Sequence, residues 1–216
     1  MKITILIVML SACSGCLARA EVRSDSEIMQ RLSELNAKRN FEASEALLLD
    51  FLKQKPAAAN VADLYLQELR DKYDAHDRVI ALASKLLPGI EKNAPEYSAR
   101  VLYLRATSIL LGRYPISRER KHLNQAKNDL ILAITYNANL MDAHLHLGIL
   151  YGIDGNVERA KLHFQRSIDT ANVSDHKTAE MVEILRRVLS MANERPKDFV
   201  EWAKHFYLSE TDQSKR

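Results

Sequence analysis

The 34 residues from Met141 to Ser174 read MDAHLHLGILYGIDGNVERAKLHFQRSIDTANVS. They divide at Gly155. Before it, Leu147, Gly148 and Tyr151 fall on one side of a helix. After it, Ala160, Phe164, Ser167 and Ile168 recur at i, i+4, i+7 and i+8, the apolar stripe of a second helix. Gly155, within Asp154-Gly155-Asn156, is free to take the positive φ of a tight turn between them. Gly148 and Ala160 are both small and are expected to face each other where the helices cross. The pattern is not isolated. Ala126, Leu130, Ala133 and Ile134 precede Ala160, Phe164, Ser167 and Ile168 by 34 residues each. Ser44, Leu48 and Pro56 give a partial third echo.

The stretch His144-x-x-Leu147-Gly148-x-x-Tyr151, then Ala160-x-x-x-Phe164, resembles the tetratricopeptide repeat, whose signature is W-x2-L-G-x2-Y…A-x3-F…P. Leu147, Gly148, Tyr151, Ala160 and Phe164 match. His144 stands at the first aromatic place, and Asn172 where Pro is usual. The best unit is 141–174. The unit before it, about 98–140, is interrupted: Val101, Leu104, Gly112 and Tyr114 precede His144, Leu147, Gly155 and Val157 by 43 residues. Nine extra residues therefore lie between Tyr114 and Ala126, and a loop between the paired helices is expected to hold them.

Working outward, Ser24-x-x-Glu27 is a capping box that opens a helix bearing Ile28, Leu32 and Leu35. Phe41 to Lys53 forms its partner, ending at Pro56. Val61, Leu64, Tyr65 and Leu69 mark a third helix. Val79, Leu82, Ala83 and Leu86 mark a fourth, expected to end near Pro88-Gly89. Met181, Leu185, Val188 and Ala192 give another stripe, and Pro196 opens a last helix with Phe199, Trp202, Ala203 and Phe206. Trp202 reads as a core or cap residue. The expectation is an all-α chain: a solenoid of about five antiparallel helix pairs over 21–208, followed by an apolar-free, frayed tail over 209–216.

The first 20 residues read as a secretory signal, with Met1-Lys2, an apolar run from Ile3 to Leu10, then small residues. Two processing sites compete. Leu10-Ser11-Ala12-Cys13 resembles a bacterial lipobox that would place a lipid on Cys13. Ala18-Arg19-Ala20 is an A-x-A site that would leave Glu21 first. Either exports the protein, to the periplasm, to the outer membrane through a lipid, or outside the cell. Cys13 and Cys16 are the chain's two cysteines, so the folded part has no disulfide or thiolate site.

The formal charge is +3, from 31 basic and 28 acidic residues. Cleavage after Ala20 removes Lys2 and Arg19 and leaves a near-neutral chain, which argues against nucleic acid as partner. No P-loop, H-E-x-x-H or G-x-S-x-G is present. His144 and His146 point about 200° apart on a helix and cannot grip one metal. His163 is placed to approach His144, a pairing better suited to packing than to a metal. No cofactor is expected. Arg113, Arg118, Arg120 and Lys121 make the inserted segment basic, suited to anionic headgroups or an acidic partner if it is more than a solvated connector.

The resemblance implies a protein-interaction scaffold whose groove is lined by the first helix of each pair. Carried over by spacing, the groove residues are Leu102, Ala106, Ile109 and Leu110, with Leu145, Ile149 and Ile153. An apolar groove suits a partner helix or apolar peptide. The alternative is that the chain's own helices fill it. By fold-level analogy, exported members serve envelope, pilus or secretion assembly. The competing function is a helical envelope enzyme acting on cell-wall glycans, which needs a carboxylic acid of raised pKa in a cleft.

Overall fold

A computed structural model of the chain describes residues 24–174 and 176–213. The leader, including Cys13, Cys16 and Ala20, lies outside the described residues, as do 214–216. Within them the fold is all-α, with no strand. The helices are α1 (Asp25–Ala37), α2 (Phe41–Gln54), α3 (Ala59–Asp71), α4 (His76–Asn93), α5 (Ser98–Ser108), α6 (Tyr114–Ser117), α7 (Arg120–Tyr136), α8 (Met141–Ile153), α9 (Val157–Thr170), α10 (His176–Glu194) and α11 (Pro196–Gln213).

Short connectors fold consecutive helices back on one another as α1/α2, α3/α4, α5/α7, α8/α9 and α10/α11. One turn recurs in the first four of these pairs. Arg39, Asp74, Arg118 and Gly155 all take the left-handed conformation, at φ 54°, 53°, 54° and 74°. Each stands two residues before the second helix of its pair. Two of the turns close with the bond that follows a left-handed cap: Asn40 N–H donates to the Leu35 carbonyl and Asn156 N–H to that of Tyr151. Asn40 and Asn156 then cap α2 and α9 with their side chains, and Ser24 and Glu27 form the expected capping box on α1.

The apolar echo appears as burial. Ala126, Leu130 and Ala133 are buried at the places of Ala160, Phe164 and Ser167, and Ser44, Leu48 and Phe51 are buried in α2. Gly148 lies against the Phe164 ring: a Cβ there would fall 2.6 Å from the ring. Two apolar clusters meet in α5, whose Val101, Leu102 and Leu104 join the first and whose Ala106, with Ile109 and Leu110 just beyond it, joins the second.

Three elements differ from expectation. The nine-residue insertion is not a loop. A π-helical turn (Ile109–Arg113) joins α5 to α6, which opens the inserted segment, and α7 takes up the rest from Arg120. Helix formation here buries Tyr114 and Pro115, which a solvated loop would leave in water. Next, α4 runs through Pro88 to Asn93, because Leu86, Leu87 and Ile90 are buried on both sides of the proline. Finally, α11 continues helically to Gln213, past the start of the expected tail at Ser209.

Candidate functional site

The expected groove residues do not line an opening. Leu102, Ala106, Ile109, Leu110 and Ile149 are fully buried, while Leu145 and Ile153 are partly buried against the second core. On α5 the apolar stripe turns inward, where α4 and α7 pack. On α8 the chain itself is the occupant. α11 lies along it, with Phe199 and Ala203 against Gly152, and with the Tyr207 hydroxyl 2.8 Å from His146 Nδ1. Trp202 stacks on Phe199 and meets Phe206 edge-on, which makes it part of this covering helix.

The open face lies one residue further round. A step of one residue turns a helix by about 100°, and on α5 it leads from the buried stripe to exposed Arg100 and half-buried Tyr103, with buried Thr107 beneath them. On α3, Asp63 and Arg70 stand 37 residues before Arg100 and Thr107, and Leu66, which matches Tyr103, is buried. Glu68 and Asn60 reach across to α1, through Ser33 and Asp25. Asp63 and Arg70 reach across to α5. Leu64, 45% exposed, stands between these two sets.

Across this face the side chains form a connected row. Arg100 Nε donates to Asp63 Oδ2 at 2.6 Å. Arg70 donates to both oxygens of Asp71 and to the Thr107 hydroxyl, and its guanidinium lies over the Tyr103 ring, 5.6 Å from the centroid. The Tyr103 and His146 rings are 5.9 Å apart. Asp142 lies in the first turn of α8, four residues before His146.

Burial dominates the acid–base behaviour here. It raises the Asp63 and Asp142 carboxyls above the ordinary carboxylate value, although the charges of Arg100 and Arg70 pull both down. Burial, reinforced by Asp142, pushes the Tyr103 phenol up to about 12. It pushes His146 down to about 4, with help from Arg70. His146 is therefore neutral at physiological pH.

The other histidine contacts are local. His144 and His163 approach at 3.0 Å between Nδ1 atoms. His144 Nε2–H donates to the Ala138 carbonyl, which leaves its Nδ1 to accept from His163. Burial and the charges around it hold His163 down at about 4, and its ring stacks on Tyr151. Among the described residues no three His, Cys, Asp or Glu side chains gather into a metal site.

The basic segment is largely neutralised by the chain itself. Arg113 pairs with Asp77, Arg120 with Asp154 and Lys121 with Glu119. Arg118 holds the left-handed turn beside the 86%-exposed Ile116.

No family model, curated protein or solved structure matches this chain.

Sequence spacing passed over Asp63, Arg70, Arg100, Tyr103 and Asp142. On α5 the signal that marks them is the pair Arg100 and Tyr103, at i and i+3, on a helix whose other residues apart from Arg105 are buried.

Proposed function

We propose that this protein is an exported interaction scaffold: a tetratricopeptide-like solenoid that serves cell-envelope, pilus or secretion assembly. It binds a partner polypeptide on the open face of α3, α5 and α8, the counterpart of the family's concave surface. The four-fold recurrence of one left-handed turn supports the repeat reading, as does the 34-residue echo in burial. Export rests on the leader at 1–20, cleaved after Ala20 or lipidated at Cys13 for anchoring in the outer membrane. The observation that carries the binding reading is the placement of exposed Leu64 and half-buried Tyr103, with their flanking charges, on adjoining first helices. Aromatic and arginine side chains of this kind dominate many polypeptide interfaces.

A photo-crosslinking amino acid at Leu64 is expected to capture a discrete envelope partner, whereas one at Leu162, exposed on α9, is not. Identical adducts from both positions, or none from Leu64, would overturn the assignment. N-terminal sequencing of the mature chain, with and without Cys13→Ala, separates the lipid-anchored from the simply secreted form.

The rival reading is a glycan-cleaving enzyme in which Asp142, whose carboxyl burial raises, would serve as the acid. Cell-wall material cleared by the wild type and not by Asp142→Asn would establish it.

A further inference from the structure

We infer that the elbow between α6 and α7 rests on an anionic phospholipid surface, with the Ile116 side chain entering the bilayer interface. The inference goes beyond partner binding on the open face and does not depend on it. The elbow is where the chain departs from its own repeat, because the nine extra residues fall here. Insertions in repeat arrays collect on one face and often carry its contacts. Tyr114 and Pro115 are buried and anchor α6. The next residue turns outward: Ile116 is 86% exposed, the highest value for a large apolar side chain among the described residues. A lone exposed isoleucine is ordinary on a protein surface. This one is followed by five exposed residues, Ser117, Arg118, Glu119, Arg120 and Lys121, three of them cationic.

The elbow stays positive after its own ion pairs are counted. Arg113 and Asp77 cancel. Arg120 and Lys127 both reach Asp154, so one carboxylate answers two cations. Lys121 is answered by Glu119. The Arg118 guanidinium has no partner among the described residues. Four cations, Arg118, Arg120, Lys121 and Lys127, therefore face two carboxylates, Glu119 and Asp154, an excess of +2. The Arg120 and Lys121 side chains are 75% and 67% exposed, so their pairs are solvated and exchange readily for another anion. An apolar tip among such cations matches anionic headgroups laid over hydrocarbon. An acidic polypeptide would satisfy the cations and leave Ile116 in water.

Co-sedimentation with sucrose-loaded vesicles tests the contact. The described fold lies wholly within the chain from Glu21 onward, and that form is used so that the apolar leader adds no binding of its own. Vesicles of phosphatidylglycerol and phosphatidylcholine are compared with phosphatidylcholine alone. At low salt the protein is expected to sediment with the anionic vesicles, far less with the neutral ones, and to be released as salt rises. Ile116→Ser should weaken binding on the order of tenfold, and Arg118→Gln roughly fivefold. Two controls should bind like the parent: Ile184→Ser, at a 46%-exposed site on α10, and Lys53→Gln, exposed on α2. All four substitutions are at exposed positions, and their circular dichroism should match the parent. Equal binding to both vesicles overturns the inference. So does binding indifferent to either Ile116→Ser or Arg118→Gln, or absent up to about 1 mM lipid. Capture of polyglutamate through Arg118 but not Ile116, without vesicle binding, overturns it in favour of an acidic partner.

Discussion

Arg39, Asp74 and Arg118 hold a backbone conformation that disfavours a Cβ by roughly 1–2 kcal/mol. Gly155 holds it without that penalty. Arg39→Gly should therefore raise stability by up to about 1 kcal/mol, the gain being reduced by the larger freedom of glycine in the unfolded chain. Gly155→Ala should lower it by a similar amount, although a Cβ there meets nothing within 4 Å. Urea melts of the two variants should move in opposite directions. Phe164 presents the opposite case, a packing position. Its ring fills the space left by Gly148 and meets Phe199 edge-on at 5.9 Å. Phe164→Ala should open a cavity between α8, α9 and α11 and cost roughly 3–5 kcal/mol, read as a fall in the urea midpoint.

At the scale of elements, apolar burial joins the helices of each pair, but α5 and α7 are also held by charge. Arg105 grips Asp129 with two bonds, Nε to Oδ2 at 2.8 Å and Nη2 to Oδ1 at 2.7 Å, and reaches Ser84 on α4. Both partners are largely buried, with side-chain exposures of 18% and 9%. Removing one partner of such a pair strands the other's charge. Asp129→Asn should cost on the order of 3 kcal/mol, with Arg105→Met-Asp129→Leu recovering much of it. A double-mutant cycle on thermal unfolding checks both expectations. The inserted segment belongs to this scale too. Its residues became α6 and the start of α7 because Tyr114, Pro115 and Leu123 had apolar surface to bury.

For the whole molecule, the two cores share α5, so perturbation at either end should reach the other through one helix. Acid provides a global test. His146 and His163 titrate near 4 in the fold, against about 6.5 in the unfolded chain. Below 6.5 the unfolded state binds more protons, so this contribution is complete above pH 6.5 and is lost as pH falls toward 4. Asp63 and Asp142 act in the opposite sense. Their raised values make the fold bind protons more readily than the unfolded chain as pH falls toward 3.8. Because the histidine window opens first, stability should drop between pH 7 and pH 5. His146 alone would contribute on the order of 2 kcal/mol of that drop. His146→Gln should flatten the slope over this range in denaturant titrations.

The long helices, their pairing and the Gly155 turn were legible in the sequence because each rests on local chemistry, whereas the left-handed turns at Arg39, Asp74 and Arg118 carry no glycine to mark them. The capping box at Ser24 and Glu27, the Gly155 turn and the stripe of Ala160, Phe164 and Ser167 need only neighbours within one or two turns of chain. The same local logic placed a helix end at Pro88, and burial of Leu86, Leu87 and Ile90 overrode it. Which face stays open was decided by tertiary structure alone. The apolar residues Leu102, Ala106, Ile109 and Leu110 look identical in sequence whether they line a groove or fill a core, and a rotation of about 100° separates those outcomes. On α8 the decision was more distant still. Ile149 is buried where α11 returns to pack along α8, with Tyr207 meeting His146 across 61 residues of chain. That contact has no local periodicity to announce it, and it leaves Arg100, Tyr103 and Asp142 to face the solvent side.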